Sequence, residues 1–443
     1  MSRLFGTDGV RGVANHDLTP DLALALGRAA GMVLASGGGE VLVGRDTRLS
    51  GPMLEGALVA GLCSAGARVR LAGIIPSPGV SFLTIDENAR AGAMISASHN
   101  PISDNGIKFF SDEGTKITAE REDAIERHMK EPTIDELGTG LDVGTVSRLA
   151  DAKGRYVRHL LSTLDGRLEG LKVVLDCAYG AGWETGPATF AAAGATVVAI
   201  HAEPDGARIN VDCGSTSMST VARRVVEEEA DLGLALDGDA DRVLAVDERG
   251  EMIDGDRILA LSALRLHDVG ALKGDVVVAT VMSNLAMTKM LESHGIEVLA
   301  APVGDRFVVE SMLDRGAVLG GEQSGHVIFG EHAHTGDGIL TGLQIAQAVR
   351  TSGSSLHELA HLYEPYPQVL INVPVAARGA LEQAEAVWSD VAAAERTLGD
   401  DGRVLLRASG TEPVVRVMVE AADRDVAARI ADELASSLRR HLA

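Results

Sequence analysis

Cysteine is scarce in this 443-residue chain, which contains only Cys63, Cys177 and Cys213. An odd and widely spaced set of three does not make a disulfide framework and is typical of proteins in a reducing compartment. The sequence also lacks any apolar run of the roughly 20 residues that a membrane-spanning helix requires. Its first residues lack the apolar core of a secretory signal peptide. We therefore predict a cytoplasmic protein that does not enter the membrane.

Basic residues are few: 40 lysines and arginines stand against 63 aspartates and glutamates, for a formal charge of −23. Such a negative surface repels the phosphates of nucleic acids and the head groups of anionic lipids, so neither is expected as a partner. It would repel a phosphorylated metabolite as well. An anionic substrate therefore requires arginines or a metal ion that reverse the charge locally.

Prolines number 13 against 51 glycines, and aromatic residues make up 3%, whereas hydrophobic residues reach 46%. This composition supplies an ample core and indicates many tight turns between regular elements. At roughly 150 residues per domain, the length predicts about three domains, or four if one of them is small.

Short β-branched runs alternate with segments rich in alanine and leucine, a pattern that predicts α/β units with mainly parallel sheets. The predicted strands include Val41–Gly44, Val69–Ala72, Ala91–Ile95, Lys172–Asp176, Thr196–Ile200, Leu232–Leu236, Val276–Thr280, Val298–Ala301 and Ala317–Leu319. The predicted helices include Asp21–Ala35, Met53–Ala65, Val221–Glu229, Ala286–His294 and Arg424–His441.

A weak internal repeat runs through these units. Gly66, Gly194 and Gly295 each follow a helix and precede a strand, as expected of a left-handed residue at a helix end. We predict three related mixed α/β domains and a smaller α+β domain with an antiparallel sheet. The strands of that last sheet are predicted at Gln368–Val375, Arg403–Arg407 and Val414–Glu420. The predicted domains span residues 1–150, 151–252, 253–366 and 367–443.

The first polar loop, Ser96–Pro101, directly follows an apolar strand and contains two serines, a histidine and an asparagine. Pro101 disfavours continuation into a helix, so the loop presents its polar side chains on an irregular turn. Serine becomes an effective nucleophile only when a neighbour withdraws its proton or its product is stabilised. Lys108, shortly after, could neutralise a phosphate or transfer a proton. An ordinary Ser/Asn/Pro turn is the alternative.

The second loop carries Asp237, Asp239 and Asp241, three carboxylates that would repel one another unless a cation lay between them. Hard oxygen ligands of this kind suit Mg²⁺ or Ca²⁺. An EF-hand would place Glu248 at its twelfth position, but its sixth position requires glycine and is Arg242 here. The flanks are also predicted as strands rather than helices. The pattern favours a Mg²⁺ site with Arg242 available to a substrate phosphate, and a solvated acidic turn is the alternative.

Two further loops can bind the parts of a phosphorylated sugar. Gly320–His326 sets glycines around side chains that can bond hydroxyls, and His326 can act as a general acid or base. Arg407–Pro413 offers two hydroxyls and a glycine, and with Arg416 it provides two arginines suited to bidentate phosphate binding. A glycine-rich turn and a plain hairpin are the alternatives. These arginines supply the local positive charge that an anionic substrate requires.

These loops, with Gly6–Gly12 and Val303–Arg306, resemble the α-D-phosphohexomutase family in the family's own order across nearly the whole chain. The resemblance implies a heart-shaped molecule of four domains with one loop from each lining a central cleft. It implies catalytic residues at Ser98, His99, Lys108, His326 and Arg11, with Ser98 modified to phosphoserine. It implies metal ligands at Ser98, Asp237, Asp239 and Asp241. It implies substrate-binding groups at Arg242, Glu322, Ser324, Arg407, Ser409, Gly410, Thr411 and Arg416. Two departures are Ser77, where many relatives carry threonine, and His334, where threonine or serine is frequent.

Within the family, Ile95–Ser98 and Gly321–Gly325 look most like the loops of enzymes acting on amino sugars. The resemblance therefore implies interconversion of glucosamine 6-phosphate and glucosamine 1-phosphate through a 1,6-bisphosphate intermediate, in the supply of UDP-N-acetylglucosamine for cell-wall synthesis. It implies Mg²⁺ and a hexose or hexosamine 1,6-bisphosphate activator as cofactors, with a sugar phosphate as the small-molecule partner. The alternatives are a phosphomannomutase or phosphoglucomutase, a Mg²⁺-dependent sugar phosphatase, and a non-catalytic sugar-phosphate binding protein. The sequence leaves open whether the chain forms a homodimer.

Overall fold

A computed structural model describes residues 3–6, 8–130, 137–375, 381, 384–408 and 414–442. The chain divides into two compact units. The first comprises residues 1–282 and 295–362, and the second comprises residues 283–294 and 363–443. Three mixed sheets lie in the first unit and one antiparallel sheet lies in the second.

The first sheet has a parallel centre with antiparallel strands at one edge. Its strands are β1 (Val10–Val13), β2 (Glu40–Arg45), β3 (Arg68–Ile74), β4 (Ala91–Ile95), β5 (Asp104–Ser111) and β6 (Val146–Arg148), in the order β1-β5-β4-β2-β3-β6. Strands β4, β2, β3 and β6 run parallel, whereas β5 and β1 run antiparallel to their neighbours. The accompanying helices are α1 (Pro20–Leu34), α2 (Gly51–Ser64), α3 (Ser77–Asp86) and α4 (Ala119–Lys130). Leu26, Leu58 and Leu62 lie in the core that α1 and α2 build against this sheet.

The second sheet repeats this plan. Its strands are β7 (Lys172–Asp176), β8 (Thr196–Ile200), β9 (Leu232–Leu236), β10 (Val243–Asp247) and β11 (Met252–Ile253), in the order β11-β10-β9-β7-β8. Strands β8, β7 and β9 run parallel, and β10 returns antiparallel to β9. The helices are α5 (Ala152–Ser162), α6 (Thr185–Ala193) and α7 (Ser219–Glu227). Every residue of β9 is buried, which accounts for its continuous apolar run.

The third sheet follows the same plan on a smaller scale. Its strands are β12 (Val276–Thr280), β13 (Glu297–Ala301), β14 (Leu319–Gly321) and β15 (Val327–Phe329), in the order β13-β12-β14-β15. Strands β13, β12 and β14 run parallel, and β15 returns antiparallel to β14. The helices of the first unit in this part of the chain are α8 (Gly255–Asp268), α10 (Asp305–Arg315), α11 (Gly338–Ser352) and α12 (Leu356–Ala360).

The second unit contains the antiparallel sheet predicted for the tail. Its elements are α9 (Leu285–Ser293), β16 (Gln368–Pro374), α13 (Glu385–Leu398), β17 (Gly402–Ala408), β18 (Val414–Ala421) and α14 (Arg424–Leu442). The sheet order is β16-β18-β17, and both pairings are antiparallel. Helix α9 is held by the buried Glu420, whose Oε1 accepts the Leu285 N–H at 2.7 Å.

The predicted architecture of three mixed α/β sheets and a smaller antiparallel one is confirmed. Gly66, Gly194 and Gly295 have φ values of 86°, 104° and 79°, so each adopts the left-handed conformation expected at a helix end. One strand was misplaced: the prediction Ala317–Leu319 lies two residues before the observed β14. Gly320 lies in the strand although glycine has a low strand propensity. The position requires glycine, because a Cβ there would lie 2.6 Å from Met312 Sδ. Packing against α10 therefore decides this position.

Candidate active site

Three loops occupy equivalent positions in the three sheets of the first unit. Each connects a strand with a parallel neighbour to the antiparallel strand that returns beside it: β4 to β5, β9 to β10, and β14 to β15. The first loop contains Ser98, the second Asp237–Arg242, and the third Glu322–His326. The structure brings the first two into direct contact, because Ser98 Oγ donates to Asp237 Oδ2 at 2.5 Å.

Ser98 is buried and held in an unusual backbone conformation. Its exposed fraction is 1%, and its φ of +50° places a non-glycine residue in the left-handed region, which costs about 1 kcal/mol or more. The Ser98 N–H donates to Ser96 Oγ at 2.9 Å, and the Ser98 hydroxyl also lies 3.3 Å from His99 Nδ1. The surrounding structure thus maintains a strained turn that directs this hydroxyl at Asp237.

A buried ion pair supports this turn. Arg48 is fully buried, and its Nε donates to Asp46 Oδ2 at 3.0 Å. Asp46 Oδ2 also accepts from Ser96 Oγ at 2.7 Å. The two terminal nitrogens of the guanidinium donate to the main-chain carbonyls of Ser98, Asn100, Pro101 and Asp104. Sequence reasoning missed Arg48 and Asp46, although charged residues directly after the apolar strand β2 were a signal that a buried charge follows it.

The three aspartates of the second loop form a compact buried cluster. Asp237, Asp239 and Asp241 have exposed fractions of 0%, 0% and 6%, and one carboxylate oxygen from each lies within 4.8 Å of the others. Burial, together with the charges of Asp241 and Asp239, raises the pKa of Asp237 well above its ordinary value. Ser77, at the start of α3, donates its N–H to the Asp239 carbonyl and its hydroxyl to Asp239 Oδ2.

Lys108 lies between two of these carboxylates. Its Nζ is 2.8 Å from Asp239 Oδ2 and 3.1 Å from Asp241 Oδ2. Burial works against the charge of the ammonium, but Asp239 and Asp241 outweigh it and raise the pKa of Lys108. Lys108 therefore carries its proton at neutral pH and partly neutralises the cluster.

The remaining oxygens of the cluster fit a metal ion. Within the part of the chain that the structure describes, Oδ1 of Asp239 and Oδ1 of Asp241 are buried and accept no hydrogen bond. A buried carboxylate oxygen without a donor is costly unless a cation provides the compensation. Three clustered carboxylates, two of which have an oxygen free in this way, match the hard, oxygen-only donor set that Mg²⁺ prefers.

Two arginines add positive charge beside the serine. Arg11 on β1 donates to Asn100 Oδ1 at 3.4 Å, and Arg242 lies 3.9 Å from Asp241 through its Nε. In each of these arginines the Nε–H is buried and finds no acceptor among the described residues. Burial lowers the pKa of His99, as do the nearby Arg242 and Arg11, so its imidazole is neutral at neutral pH. The site thus presents donors whose missing acceptors an anion could provide.

His326 is buried against the cluster. Its Nδ1 lies 3.7 Å from Asp241 Oδ1, and its Nε2 accepts the Gly336 N–H at 3.0 Å. Burial alone would lower the pKa of His326, but the Asp241 carboxylate outweighs it and raises that pKa. The Gly336 donor opposes protonation of Nε2, since an imidazolium has no lone pair to accept it. His326 therefore holds its proton on the nitrogen that faces Asp241.

The third loop presents polar groups nearer the surface. Glu322 is half-buried, with Oε1 accepting the Gly304 N–H at 3.0 Å and Oε2 lying 3.3 Å from Ser324 Oγ. Ser324 itself is exposed. Both groups keep hydrogen-bonding capacity that a hydroxylated ligand could use.

In the second unit, the two predicted arginines stand directly opposite each other. Arg407 on β17 pairs with Arg416 on β18, so both side chains lie on the same face of the sheet and both are half-buried. Like charges directly opposite in an antiparallel pair are destabilising, and an anion between them would reverse this. The predicted phosphate-binding residues Ser409, Gly410 and Thr411 lie outside the described residues.

Comparison with known proteins matches the chain to one family along nearly its whole length. Four domain descriptions match in order: phosphoglucomutase/phosphomannomutase alpha/beta/alpha domain I over residues 2–135, domain II over 154–250, domain III over 254–366 and the C-terminal domain over 370–437. A phosphoglucosamine mutase of Rhodococcus opacus is 52% identical over 99% of each chain. Among the described residues, no helix combines the length and apolar character needed to cross a membrane.

Two solved structures share the fold. A phosphoglucomutase/phosphomannomutase family protein of Burkholderia thailandensis has a TM-score of 0.84 at 26% identity and covers 99% of this chain and 97% of its own. The N-acetylphosphoglucosamine mutase of Aspergillus fumigatus, solved with GlcNAc-6P and magnesium, has a TM-score of 0.71 at 19% identity. That likeness covers 99% of this chain and 96% of the fungal chain. At 19% identity it shows the common fold alone.

Proposed function

The chain belongs to the phosphoglucomutase/phosphomannomutase family, in which it is an isomerase with phosphoglucosamine mutase activity, and we propose that the transferred phosphoryl group passes through Ser98. In this proposal phospho-Ser98 donates its phosphoryl group to the free hydroxyl of a bound glucosamine phosphate. The resulting 1,6-bisphosphate reverses its orientation in the site and returns its other phosphate to Ser98. Glucosamine 6-phosphate and glucosamine 1-phosphate are thereby interconverted.

One observation carries the choice of Ser98: among the serines between β4 and β5, it is the one whose hydroxyl contacts the aspartate cluster, at 2.5 Å from Asp237 Oδ2. The other two serines of this connection direct their hydroxyls elsewhere, Ser96 at Asp46 and Ser103 at Asp104. A phosphoryl group on Ser98 would lie beside the aspartate loop, where cationic groups can stabilise the charge that spreads during transfer.

We assign the metal to Asp237, Asp239, Asp241 and the phosphoryl oxygen of Ser98, with Mg²⁺ as the ion. The oxygen-only donor set and the two unpaired carboxylate oxygens support this assignment. When bound, Mg²⁺ neutralises phosphoryl charge and helps align the group for in-line transfer. The fungal N-acetylphosphoglucosamine mutase that shares this fold was solved with magnesium.

The chain's own cations would bind the phosphoryl oxygens. Arg11 and Arg242 each hold a buried Nε–H without an acceptor, and a phosphate would provide one. His99, which is neutral, can donate or accept a hydrogen bond at the Ser98 oxygen. Together these groups would position the serine oxygen and the transferring group for attack.

Proton transfer to and from the sugar hydroxyl is assigned to Lys108, with His326 in support. Lys108 holds a proton beside the cluster, whereas His326 already uses Nε2 to accept the Gly336 N–H and faces Asp241 with Nδ1. When the sugar hydroxyl attacks, its proton passes to Lys108 as Lys108 gives its own proton to Ser98 Oγ, so the lysine would relay one proton between the two oxygens. Ser98 Oγ regains a proton when its own P–O bond has broken.

The substrate end is assigned to the third loop and the second unit. Glu322 and Ser324 would bind the ring hydroxyls and the amino group of the sugar. Arg407 and Arg416, with Ser409, Gly410 and Thr411, would bind whichever phosphate is not reacting, and the opposed arginines support this. A hexose or hexosamine 1,6-bisphosphate would activate the enzyme by phosphorylating Ser98.

Intact-mass measurement tests the proposal. Wild-type protein incubated with glucose 1,6-bisphosphate and Mg²⁺ should gain one phosphate, mapped to Ser98, and then show mutase activity. Ser98→Ala should gain none and lose turnover. Ser103→Ala changes an exposed serine of the same loop and serves as the matched control, with wild-type phosphorylation and activity expected. Phosphate on Ser96, or normal turnover by Ser98→Ala, would show that the assignment is wrong.

A further inference from the structure

A second cluster of side chains that are able to ligate a metal lies away from the aspartate loop. It joins Asp247 and Glu251, at the turn between β10 and β11, to His357 on α12 and His361 directly after that helix. One ligand atom from each of the four residues lies within 4.8 Å of the other three. The paired residues are separated by 110 positions in the sequence, so the tertiary structure creates the cluster.

Helical spacing places His357 of α12 and His361, the residue that caps this helix, on the same side. His357 and His361 are four residues apart, their rings lie 4.0 Å apart between centroids, and the His361 N–H donates to the His357 carbonyl at 3.1 Å. The Nδ1 of His361 lies 2.9 Å from that same carbonyl, which can only accept, so Nδ1 carries the proton. The lone pair of His361 is therefore on Nε2, which lies 3.2 Å from Glu251 Oε2.

The carboxylates are held in place by the turn. Asp247 is fully buried, and its Oδ1 accepts the N–H groups of Arg249 and Glu251 at 3.0 and 2.8 Å. Its Oδ2 is left to face His357 Nδ1 at 2.7 Å. Glu251 Oε2, which faces His361, also lies 3.8 Å from His357 Nδ1.

These hydrogen bonds are those that usually orient metal ligands. A ligating histidine commonly donates its second N–H to a backbone carbonyl, and a ligating carboxylate is itself hydrogen-bonded. Four ligands about 2.1 Å from a tetrahedral zinc ion lie roughly 3.4 Å from one another. The measured separations of 2.7, 3.2 and 3.8 Å scatter around that value.

We propose that Asp247, Glu251, His357 and His361 bind a Zn²⁺ ion that joins the β10–β11 turn to α12. Two imidazoles favour zinc over the magnesium assigned to the aspartate loop, which offers oxygen alone. The ligands are His357 Nδ1, whose proton toward Asp247 is released when the ion binds, together with His361 Nε2, Asp247 Oδ2 and Glu251 Oε2. Strand β10 leads from Arg242 to this site, which lies at the end of the strand away from the aspartate loop. The ion is therefore structural and stabilises the first unit.

Zinc retention by the full chain tests this proposal. Protein stripped with EDTA is loaded with Zn²⁺ in excess Mg²⁺, which competes for the aspartate loop, then desalted and assayed by mass spectrometry of the metal. Wild type should keep about one zinc per chain, and added zinc should raise its melting temperature. His361→Ala should keep none. Glu251→Gln, a conservative change at an exposed residue, should bind zinc at least about tenfold more weakly.

Two control variants separate this site from other possible zinc ligands. Asp239→Asn alters the aspartate loop, and Cys213→Ser alters a cluster of Asp176, His201 and Cys213 elsewhere in the first unit. Both should retain one zinc per chain. A wild-type protein that keeps no zinc would overturn the proposal. So would zinc retained equally by His361→Ala and Glu251→Gln, or zinc lost from either control in place of them.

Discussion

Replacing Arg48 with methionine removes a buried cation while keeping much of the side-chain volume. Arg48 is fully buried, forms an ion pair with Asp46 and donates to four main-chain carbonyls around the Ser98 loop. Methionine fills similar space but donates nothing. The variant therefore tests whether this ion pair holds the strained turn at Ser98.

The expected cost is large because the partners remain buried. Removing one member of a buried ion pair typically costs about 3–5 kcal/mol. The main-chain carbonyls that lose their donor increase this cost, and water that enters the gap reduces it. We therefore expect Arg48→Met to lower the free energy of unfolding by about 4 kcal/mol. A displacement of the Ser98 hydroxyl of about 1 Å would reduce turnover by roughly a hundredfold.

The pH dependence of this loss has a definite sign. Burial raises the pKa of Asp46, and Arg48 opposes that rise, so the pKa of Asp46 should increase further in Arg48→Met. A carboxyl with a raised pKa in the folded state lowers the free energy of unfolding whenever it is ionised. This destabilisation disappears below the pKa of the unfolded chain, about 3.9, because the group is then protonated in both states. The difference between variant and wild type should be greatest near pH 7–8 and shrink as the pH falls through the variant's folded pKa.

Urea unfolding followed by tryptophan fluorescence can measure this in the first unit alone. The chain has two tryptophans, Trp183 in the first unit and Trp388 in the second, so a Trp388→Phe background leaves Trp183 as the reporter. Arg223→Met, which breaks an exposed pair with Glu227, is the control and should change stability by less than about 1 kcal/mol. An Arg48→Met loss no larger than the control's, or one independent of pH, would refute the reasoning.

Three further outcomes follow from the proposed function. Asp239→Asn should reduce turnover on the order of a thousandfold. EDTA should abolish the activity of the wild type until Mg²⁺ is added back, and full activity in the chelator would exclude the metal site. Arg407→Ala should raise KM and lower kcat. Arg439 is an exposed arginine on α14, and Arg439→Ala should change neither constant. Unchanged kinetics in Arg407→Ala would show that the phosphate site is misplaced. In direct competition, kcat/KM for glucosamine 6-phosphate should exceed that for glucose 6-phosphate by roughly ten- to a few-hundredfold, and preference for mannose 6-phosphate would contradict the assigned sugar.

Much of the fold was predictable because its determinants are local. Apolar runs marked the buried strands, glycines marked the helix ends, and most predicted boundaries lie within one or two residues of those observed. The alternate carboxylates of Asp237–Asp241 indicated a cation site, because like charges so close in sequence stay close in any fold. The choice of Ser98 over Ser96 came from the family resemblance, and it remains a proposal.

Contacts between distant segments were decided by the tertiary structure alone. Nothing near Arg48 in the sequence indicates that it binds the carbonyls of a loop some fifty residues away. The same holds for α9, which packs with the second unit through Glu420, and for His357 on α12, which meets Asp247 across 110 residues. A side chain's neighbours along the chain determine its helix or strand, whereas its burial and its partners depend on which elements fold against it. For this protein the sequence therefore determined the elements and the chemistry of the loops, and the packing determined which groups hold those loops in place.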